Sequence, residues 1–372
     1  MTDTQQVLAN VLLENCKPTS LQNVELHSRF KRYYIRNKTT PFANTDESKK
    51  TLLEELFVKF EAANNLPVTS NNTGKNLIYF TVFLNEEYVD LIELALQSIY
   101  DCTPNITFDV LFVTDEEYKQ KILQKTIISK YNCFFHILPT PLSGPRASIN
   151  KLTVFDYANI NQYEKILFLD CDTICIRDIN EVFNLVVLPN KLYTGTNKNI
   201  LAHALSTPTH GIMFFTQKDV ETIASNFGNF KPFNAGQFVF YNTSRMKSHF
   251  NNTRWLIDNW PGYLFFEQGA MNYYFVINNI STILNTNNGQ SAFTVTYMYT
   301  PKKDLPSKRL VVTGSTYTAC LTSTEELIKA ESGETLMVYP DRETCIVHFA
   351  GTPLGGAKKL EAIKEFLNAR KL

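Results

Sequence analysis

The sequence predicts an α/β fold with a mostly parallel central sheet and a helical N-terminal extension. Three observations carry that prediction. Near-continuous apolar runs, such as Leu77 to Leu84 (LIYFTVFL) and Lys165 to Leu169 (KILFL), have the composition of strands buried on both faces. Segments of helical periodicity stand between these runs, and such alternation implies right-handed crossovers into a parallel sheet. A polar stretch full of turn formers, Pro67 to Asn76 (PVTSNNTGKN), separates this region from what precedes it.

Before that linker, Leu52, Leu53, Leu56, Phe57 and Phe60 fall on one helical face, and Asn64-Asn65-Leu66-Pro67 ends the helix. Residues 1–75 are therefore expected to form a helical extension and linker, and residues 76–372 the domain that carries the chemistry. After the first strand, Tyr88, Leu91, Ile92, Ala95, Leu96 and Ile99 recur at helical spacing up to Thr103-Pro104. Phe108 to Val113 is the second strand, and Thr114-x-x-Glu117 reads as a capping box that opens the next helix. Cys133 to Leu138 is the third strand, Ser148 to Ala158 has helical character, and Lys165 to Leu169 is a fourth strand ending at Asp170. Further on, Phe238 to Tyr241 is an apolar strand, Glu267-Gln268 opens a helix, and Ala357 to Ala369 forms a last helix.

Composition narrows the function. The 372 residues are 44% hydrophobic and 19% charged, with Lys+Arg and Asp+Glu both at 36. A formal charge of zero gives no basic stripe for nucleic acid. No run approaches the ~20 apolar residues needed to cross a bilayer. The opening MTDTQQVLANVLL lacks a basic start followed by an apolar run, so a cytoplasmic location is expected. Seven cysteines without a CxxC pair argue against a zinc ribbon, and their odd number against a complete disulfide framework.

Asp170-Cys171-Asp172 follows its hydrophobic strand directly. In parallel sheets, ligands sit beyond the carboxyl ends of the strands. Two carboxylates in such a turn make a hard-oxygen site suited to Mg²⁺ or Mn²⁺. A metal held there is able to bridge the phosphates of a nucleotide sugar and offset charge on the leaving diphosphate. Other readings of the same residues stand beside this one. Leu167-Phe-Leu-Asp170-x-Asp172 also has the form of an aspartate-nucleophile phosphatase, although no later Gly-Asp loop accompanies it. Asp170 to Glu181 has the length of a calcium loop, but Ile174 and Cys175 occupy a ligand position and the glycine position. A solvated turn is the plain alternative.

Further segments, in order, resemble glycosyltransferase family 8, the glycogenin-like enzymes of the GT-A fold, over roughly residues 76–360. Val82-Phe-Leu84-Asn85-Glu-Glu-Tyr88 resembles the family's uracil-binding opening. The resemblance implies main-chain contacts near Val82 and Leu84, a polar contact from Asn85, and packing of Tyr88 on the base. Lys151 resembles the basic residue on the sugar and phosphate side. Phe233-Asn234-Ala235-Gly236 resembles the FNxG element, with Asn234 reading sugar hydroxyls and Gly236 admitting the ligand. Glu267-Gln268 resembles an Asp-Gln pair beneath the sugar, with Glu in place of Asp and Leu264 where a further acid stands in glycogenin. Ile346-Val-His348-Phe-Ala-Gly351 resembles the closing HFxG element, which makes His348 the third ligand to the metal. The lysine that usually follows is Leu354 here, so Lys358 or Lys359, after a bend at Gly355-Gly356, is the expected substitute.

The resemblance thus implies a metal-dependent retaining transfer from a UDP-sugar to a sugar or protein acceptor. Asp170, Asp172 and His348 would hold Mn²⁺ or Mg²⁺, and Cys171, Gly351 and Lys358 would belong to the donor-binding residues. Gln268 would steady a developing oxocarbenium ion through its amide oxygen, and Glu267 is the nearest covalent-nucleophile candidate. A non-catalytic nucleotide-sugar-binding protein and an aspartate-nucleophile phosphohydrolase are the rival functions.

Overall fold

The structure, a computed structural model, describes residues 74–195, 233–259, 266–271, 274–275, 280–287, 291–297, 344–350 and 355–370. The predicted N-terminal helix, Leu264, Gly351 and Leu354 lie outside the described residues.

The elements alternate as the apolar runs require. In chain order, β1 (Asn76–Val82), α1 (Glu87–Cys102), β2 (Phe108–Thr114), α2 (Glu116–Leu123) and β3 (Cys133–Ile137) come first. They are followed by α3 (Gly144–Ile149), β4 (Lys165–Leu169), β5 (Thr173–Cys175), α4 (Asn180–Leu185) and β6 (Leu192–Thr194). The later elements are β7 (Gln237–Tyr241), α5 (Ser244–Asn259), α6 (Phe266–Met271), β8 (Ser281–Ile283), β9 (Phe293–Tyr297), β10 (Ile346–Ala350) and α7 (Gly355–Arg370).

Seven strands form one sheet in the order β3-β2-β1-β4-β7-β6-β8. Its β3-β2-β1-β4 half is parallel throughout, while β7 runs antiparallel to both β4 and β6. The α/β class and mostly parallel sheet are therefore as the sequence predicts. A second sheet of three strands, β5-β10-β9, begins only three residues after β4 ends.

Burial on both faces explains the continuous apolar runs. Ile78, Phe80 and Val82 of β1, with Leu167 and Leu169 of β4, pack into one core. That core also holds Leu91, Ile92, Leu96 and Ile99 of α1, and Ile363 and Phe366 of α7. The alternate residues Leu77, Tyr79, Ile166 and Phe168 pack into a second core with Phe155, Phe238, Phe240 and Phe250. Each fully buried large apolar side chain contributes ~1.5–3 kcal/mol, so neither face tolerates a one-residue slip of register.

Several local predictions need correction. Asp115, not Thr114, caps α2: its carboxylate accepts from Tyr118 N at 2.9 Å, while the Thr114 hydroxyl donates to the Val82 carbonyl at 2.7 Å. An ionised carboxylate at the N-cap is the better acceptor, so the cap moves one residue. The predicted helix from Ser148 to Ala158 is instead α3, followed by a 3₁₀ segment over Asn150–Asp156. Gly355 and Gly356, expected to form a bend, are the first two residues of α7. Among the described residues, no helix is long and apolar enough to cross a membrane.

Candidate active site

The candidate site is assembled where the two sheets meet. β4 delivers Asp170 at its carboxyl end, and the Asp170 amide donates to the Gly236 carbonyl at 2.7 Å, which joins this turn to the start of β7. The Thr173 hydroxyl donates to the Asp170 carbonyl at 2.8 Å and closes the Asp170-Cys171-Asp172 turn. β5 then pairs antiparallel with β10, opposing Thr173 to His348. Phe349 N donates to the Asp172 carbonyl at 2.9 Å, so the main chain brings the imidazole beside the second carboxylate.

Three side chains converge here. His348 Nε2 lies 3.1 Å from Asp172 Oδ1 and 3.6 Å from Asp170 Oδ2. Each of the three residues offers a ligand atom, and these atoms lie within 4.8 Å of one another. His348 Nδ1 is 2.9 Å from Asn234 Oδ1, an acceptor that also takes the Gly236 N–H at 2.7 Å. The Asn234 oxygen can only accept, so Nδ1 donates to it and the ring is turned with Nε2 toward the two carboxylates. Two carboxylate oxygens and an imidazole nitrogen facing one another fit a bound divalent cation. Gly236 closes the cradle: a Cβ there would overlap His348 Cε1 and sit 2.6 Å from Asp170 Oδ2.

Two lysines flank this group. Lys151 is buried, with Nζ 3.3 Å from Asp170 Oδ1, 3.0 Å from Glu267 Oε1 and 3.1 Å from the Ala235 carbonyl, and it lies over the Phe168 ring. Burial would push the Lys151 ammonium down, yet Asp170 and Glu267 overcome it and hold the value above the usual lysine range. Burial likewise pushes Glu267 up, but Lys151 and a hydrogen bond with Ser148 hold it down, so it stays ionised. On the other side Lys359 Nζ, from α7, lies 2.5 Å from Asp172 Oδ2.

The environments of the two aspartates differ. At Asp170 burial prevails over Lys151 and His348, and the carboxyl is raised above its ordinary value. At Asp172 Lys359 and His348 prevail over burial, and the carboxyl is held far below the usual range.

These groups line a cavity of about 450 Å³. Thr81, Phe83, Leu84, Asn85 and Tyr88 form one wall, and Lys151, Asp170, Cys171, Asp172, Asn234, Glu267, His348 and Lys359 another. Leu84 has a φ of 65°, a left-handed conformation unusual for a leucine, and its side chain is 43% exposed. Tyr88 stands in the first turn of α1, and burial followed by the nearby Cys171 and Asp172 raises its phenol.

Two predicted site residues, Val82 and Gln268, do not line the cavity, and two that do, Asn85 and Asn234, have protein partners of their own. Val82 is fully buried and off the cavity; Thr81 and Phe83, which alternate with it, line the wall instead. The Asn85 carboxamide oxygen accepts from Glu87 N at 3.1 Å and so helps to open α1. The Asn234 oxygen is committed to His348 and Gly236, which makes its first task that of orienting the imidazole. Gln268 does not line the cavity: its Oε1 accepts from Ala235 N at 3.1 Å. Gly351 and the Lys358 side chain lie outside the described residues. Ser148 and Ala147 line the cavity without having been singled out, and only their helical offset of three and four residues from Lys151 pointed to them.

Comparison with known proteins agrees with this arrangement. The sequence profile of glycosyl transferase family 8 matches residues 80–281, more than half of the chain. A search of curated protein sequences returns no match. Among solved structures, the galactosyltransferase LgtC with donor and acceptor sugar analogs is 14% identical, covering 78% of this chain and 95% of its own, at a TM-score of 0.45. Apo mouse xyloside xylosyltransferase 1 is 11% identical over 74% of this chain and 97% of its own, at a TM-score of 0.42. The apo bifunctional glycosyltransferase WbbM is 16% identical over 78% of this chain and 49% of its own, at a TM-score of 0.48. The strand-end carboxylates, the imidazole on β10 and the match across the sheet lead to one assignment: this chain belongs to glycosyl transferase family 8, of the GT-A fold.

Proposed function

We propose that the protein transfers a sugar from a UDP-sugar to an acceptor hydroxyl with retention of configuration, using Mn²⁺ or Mg²⁺ held by Asp170, Asp172 and His348. Family membership supports a nucleotide-sugar donor. The observation that carries the rest is the convergence of two carboxylates and an imidazole in one cavity, beside two ammonium groups.

When bound, the ion supplies Lewis-acid neutralisation of the charge that grows on the departing diphosphate. The protein's own groups do the remainder. Tyr88 and the Thr81–Leu84 wall receive the base, and the left-handed turn at Leu84 presents main-chain groups to it. Lys151 fixes Asp170 Oδ1 and leaves Oδ2 to face His348. Glu267, kept ionised by Lys151, puts a fixed negative charge into the cavity, where it favours positive charge developing on the sugar. Gln268 acts one step removed, by holding the Ala235 amide and with it the turn that contains Asn234 and Gly236.

The test is a panel of UDP-sugars with Mn²⁺, scored for released UDP with and without simple sugar and peptide acceptors. Metal-dependent UDP release with at least one donor is expected. Full activity in excess EDTA, or UDP binding without turnover for every donor, would overturn the reading.

A further inference from the structure

Lys151 and Lys359 both bring an ammonium group to the two aspartates, but they are built differently. Lys151 bonds to Asp170, Glu267 and the Ala235 carbonyl, on three separate segments, and its side chain is 3% exposed. Such a lysine is fixed, because moving it would strand two buried carboxylates. Lys359 has one hydrogen-bond partner among the described residues, Asp172 Oδ2, and its side chain is 13% exposed to the cavity it lines. The helix that carries it is anchored independently. Ile363 and Phe366 are buried, and the Phe366 ring meets Phe349 of β10 at 5.4 Å. The α7 backbone therefore stays in place while the four-carbon stem of Lys359 is free to swing.

Asp172 faces two competing cations. A divalent ion seated between Asp170, Asp172 and His348 takes over the negative charge that Lys359 otherwise offsets, and it repels the ammonium. Once released, Lys359 remains at the cavity wall, next to where a diphosphate bound to that ion must lie.

We propose that Lys359 is an internal counter-cation of the metal site, displaced from Asp172 when the divalent ion enters and so freed for the diphosphate contact that the family resemblance already assigns to a lysine after the HFxG element. The proposal rests on the UDP-sugar reading for its second half only; the displacement by metal stands on the geometry of Asp172 alone. It makes Lys359 a brake on metal binding in the empty protein.

The first test measures Mn²⁺ binding to the full-length protein without nucleotide, by the loss of the free-ion electron paramagnetic resonance signal. Lys359→Met, which keeps the apolar stem, is expected to bind Mn²⁺ roughly ten-fold more tightly than the parent, because one competing charge is gone. With Mn²⁺ saturating, the same variant is expected to bind UDP roughly five-fold more weakly or worse, having lost a charge-assisted contact. Lys364→Ala, on an exposed position of the same helix, should change neither. A folded Lys359→Met protein whose Mn²⁺ affinity is unchanged or reduced overturns the displacement. Unchanged UDP affinity overturns the transfer to diphosphate.

A second test uses the unaltered protein. Lys359 acetylation by a water-soluble active ester, followed by peptide mass spectrometry, should accelerate several-fold on adding Mg²⁺ alone and slow again on adding Mg²⁺ with UDP. Equal reactivity with and without Mg²⁺ overturns the proposal, even if no Lys359 variant folds. Failure of the parent protein to bind UDP at all would overturn the proposed function and the transfer half, while the response to Mg²⁺ alone still decides the displacement.

Discussion

Gly236→Ala is the most direct perturbation of the metal cradle. The new Cβ would overlap His348 Cε1 and stand 2.5 Å from His348 Nδ1 and 2.6 Å from Asp170 Oδ2. Comfortable carbon contacts lie at ~3.5–4.0 Å, so each neighbour must retreat by roughly 1 Å. The glycine cannot yield instead, because its carbonyl accepts from Asp170 N at 2.7 Å and its N–H donates to Asn234 Oδ1 at 2.7 Å. The displacement therefore falls on two of the three ligands at once. Overpacking of this kind costs about 1–3 kcal/mol of stability, a melting shift of several degrees. Disturbing the support of metal ligands typically lowers metal affinity by about 10–100-fold, and that is the expected loss for Mn²⁺. Gly195→Ala serves as the control: its Cβ would press on the Phe293 side chain at 3.0 Å, away from the ligands, so stability should fall with Mn²⁺ affinity retained. Calorimetric titration with Mn²⁺, thermal melts and UDP-release rates would be measured on both variants. A Gly236→Ala protein with parental Mn²⁺ affinity would refute the cradle.

Other expectations follow from the same geometry. Asp172→Asn should keep its fold but lose Mn²⁺-dependent UDP release, and Mn²⁺ should raise the melting temperature of the parent, reversibly with EDTA, but not of the variant; equal thermal responses would count against Asp172 as a ligand. Lys151→Met strands Asp170 and Glu267 in a buried site and should cost about 3–5 kcal/mol in urea unfolding, part of which Lys151→Met with Glu267→Leu should recover. A loss below the error of the melt would show that the triad is not a buried charge network. Burial, assisted by Arg245, holds His249 down at about 3, against ~6.5 in an unfolded chain. The unfolded state thus binds the extra proton first. This contribution is complete above about pH 6.5 and is lost at ~1.4 kcal/mol per pH unit as pH falls toward 3. His249→Gln should flatten that slope between pH 6.5 and 4.5, and identical slopes in the two proteins would sink the account.

The parts of the fold legible in the sequence were those with a local cause. β1, β2 and β4 announce themselves because burial on both faces demands uninterrupted apolar runs, and Asp170 and Asp172 because two carboxylates break such a run at its carboxyl end. β5, β6 and β8 span three residues each, too short for any periodicity to register, and their pairing depends on partners distant in the chain. His348 was found through the His-Phe-x-Gly resemblance, since an imidazole after an apolar strand carries no signal of its own. Which of Lys358 and Lys359 faces the cavity depends on the phase of α7, which two leading glycines obscure; the Lys359 ammonium meets Asp172, and the Lys358 side chain lies outside the described residues. The contact of Gln268 with the Ala235 amide was not legible, because in sequence a side chain that braces an amide is indistinguishable from one that faces a ligand.

The seam between the two sheets also fixes when the enzyme can come into being during synthesis. β5 leaves the ribosome immediately after β4, yet its antiparallel partner β10 follows 175 residues later by the spacing of Thr173 and His348. Until then the carboxylates of Asp170 and Asp172 stand beside an unpaired strand edge, with neither the imidazole nor the α7 ammonium in place. A nascent chain that already holds β1 to β4 therefore still lacks one of the three proposed ligands. Arrival of β10 completes the small sheet and the candidate metal site in a single closure, so the site forms late and all at once.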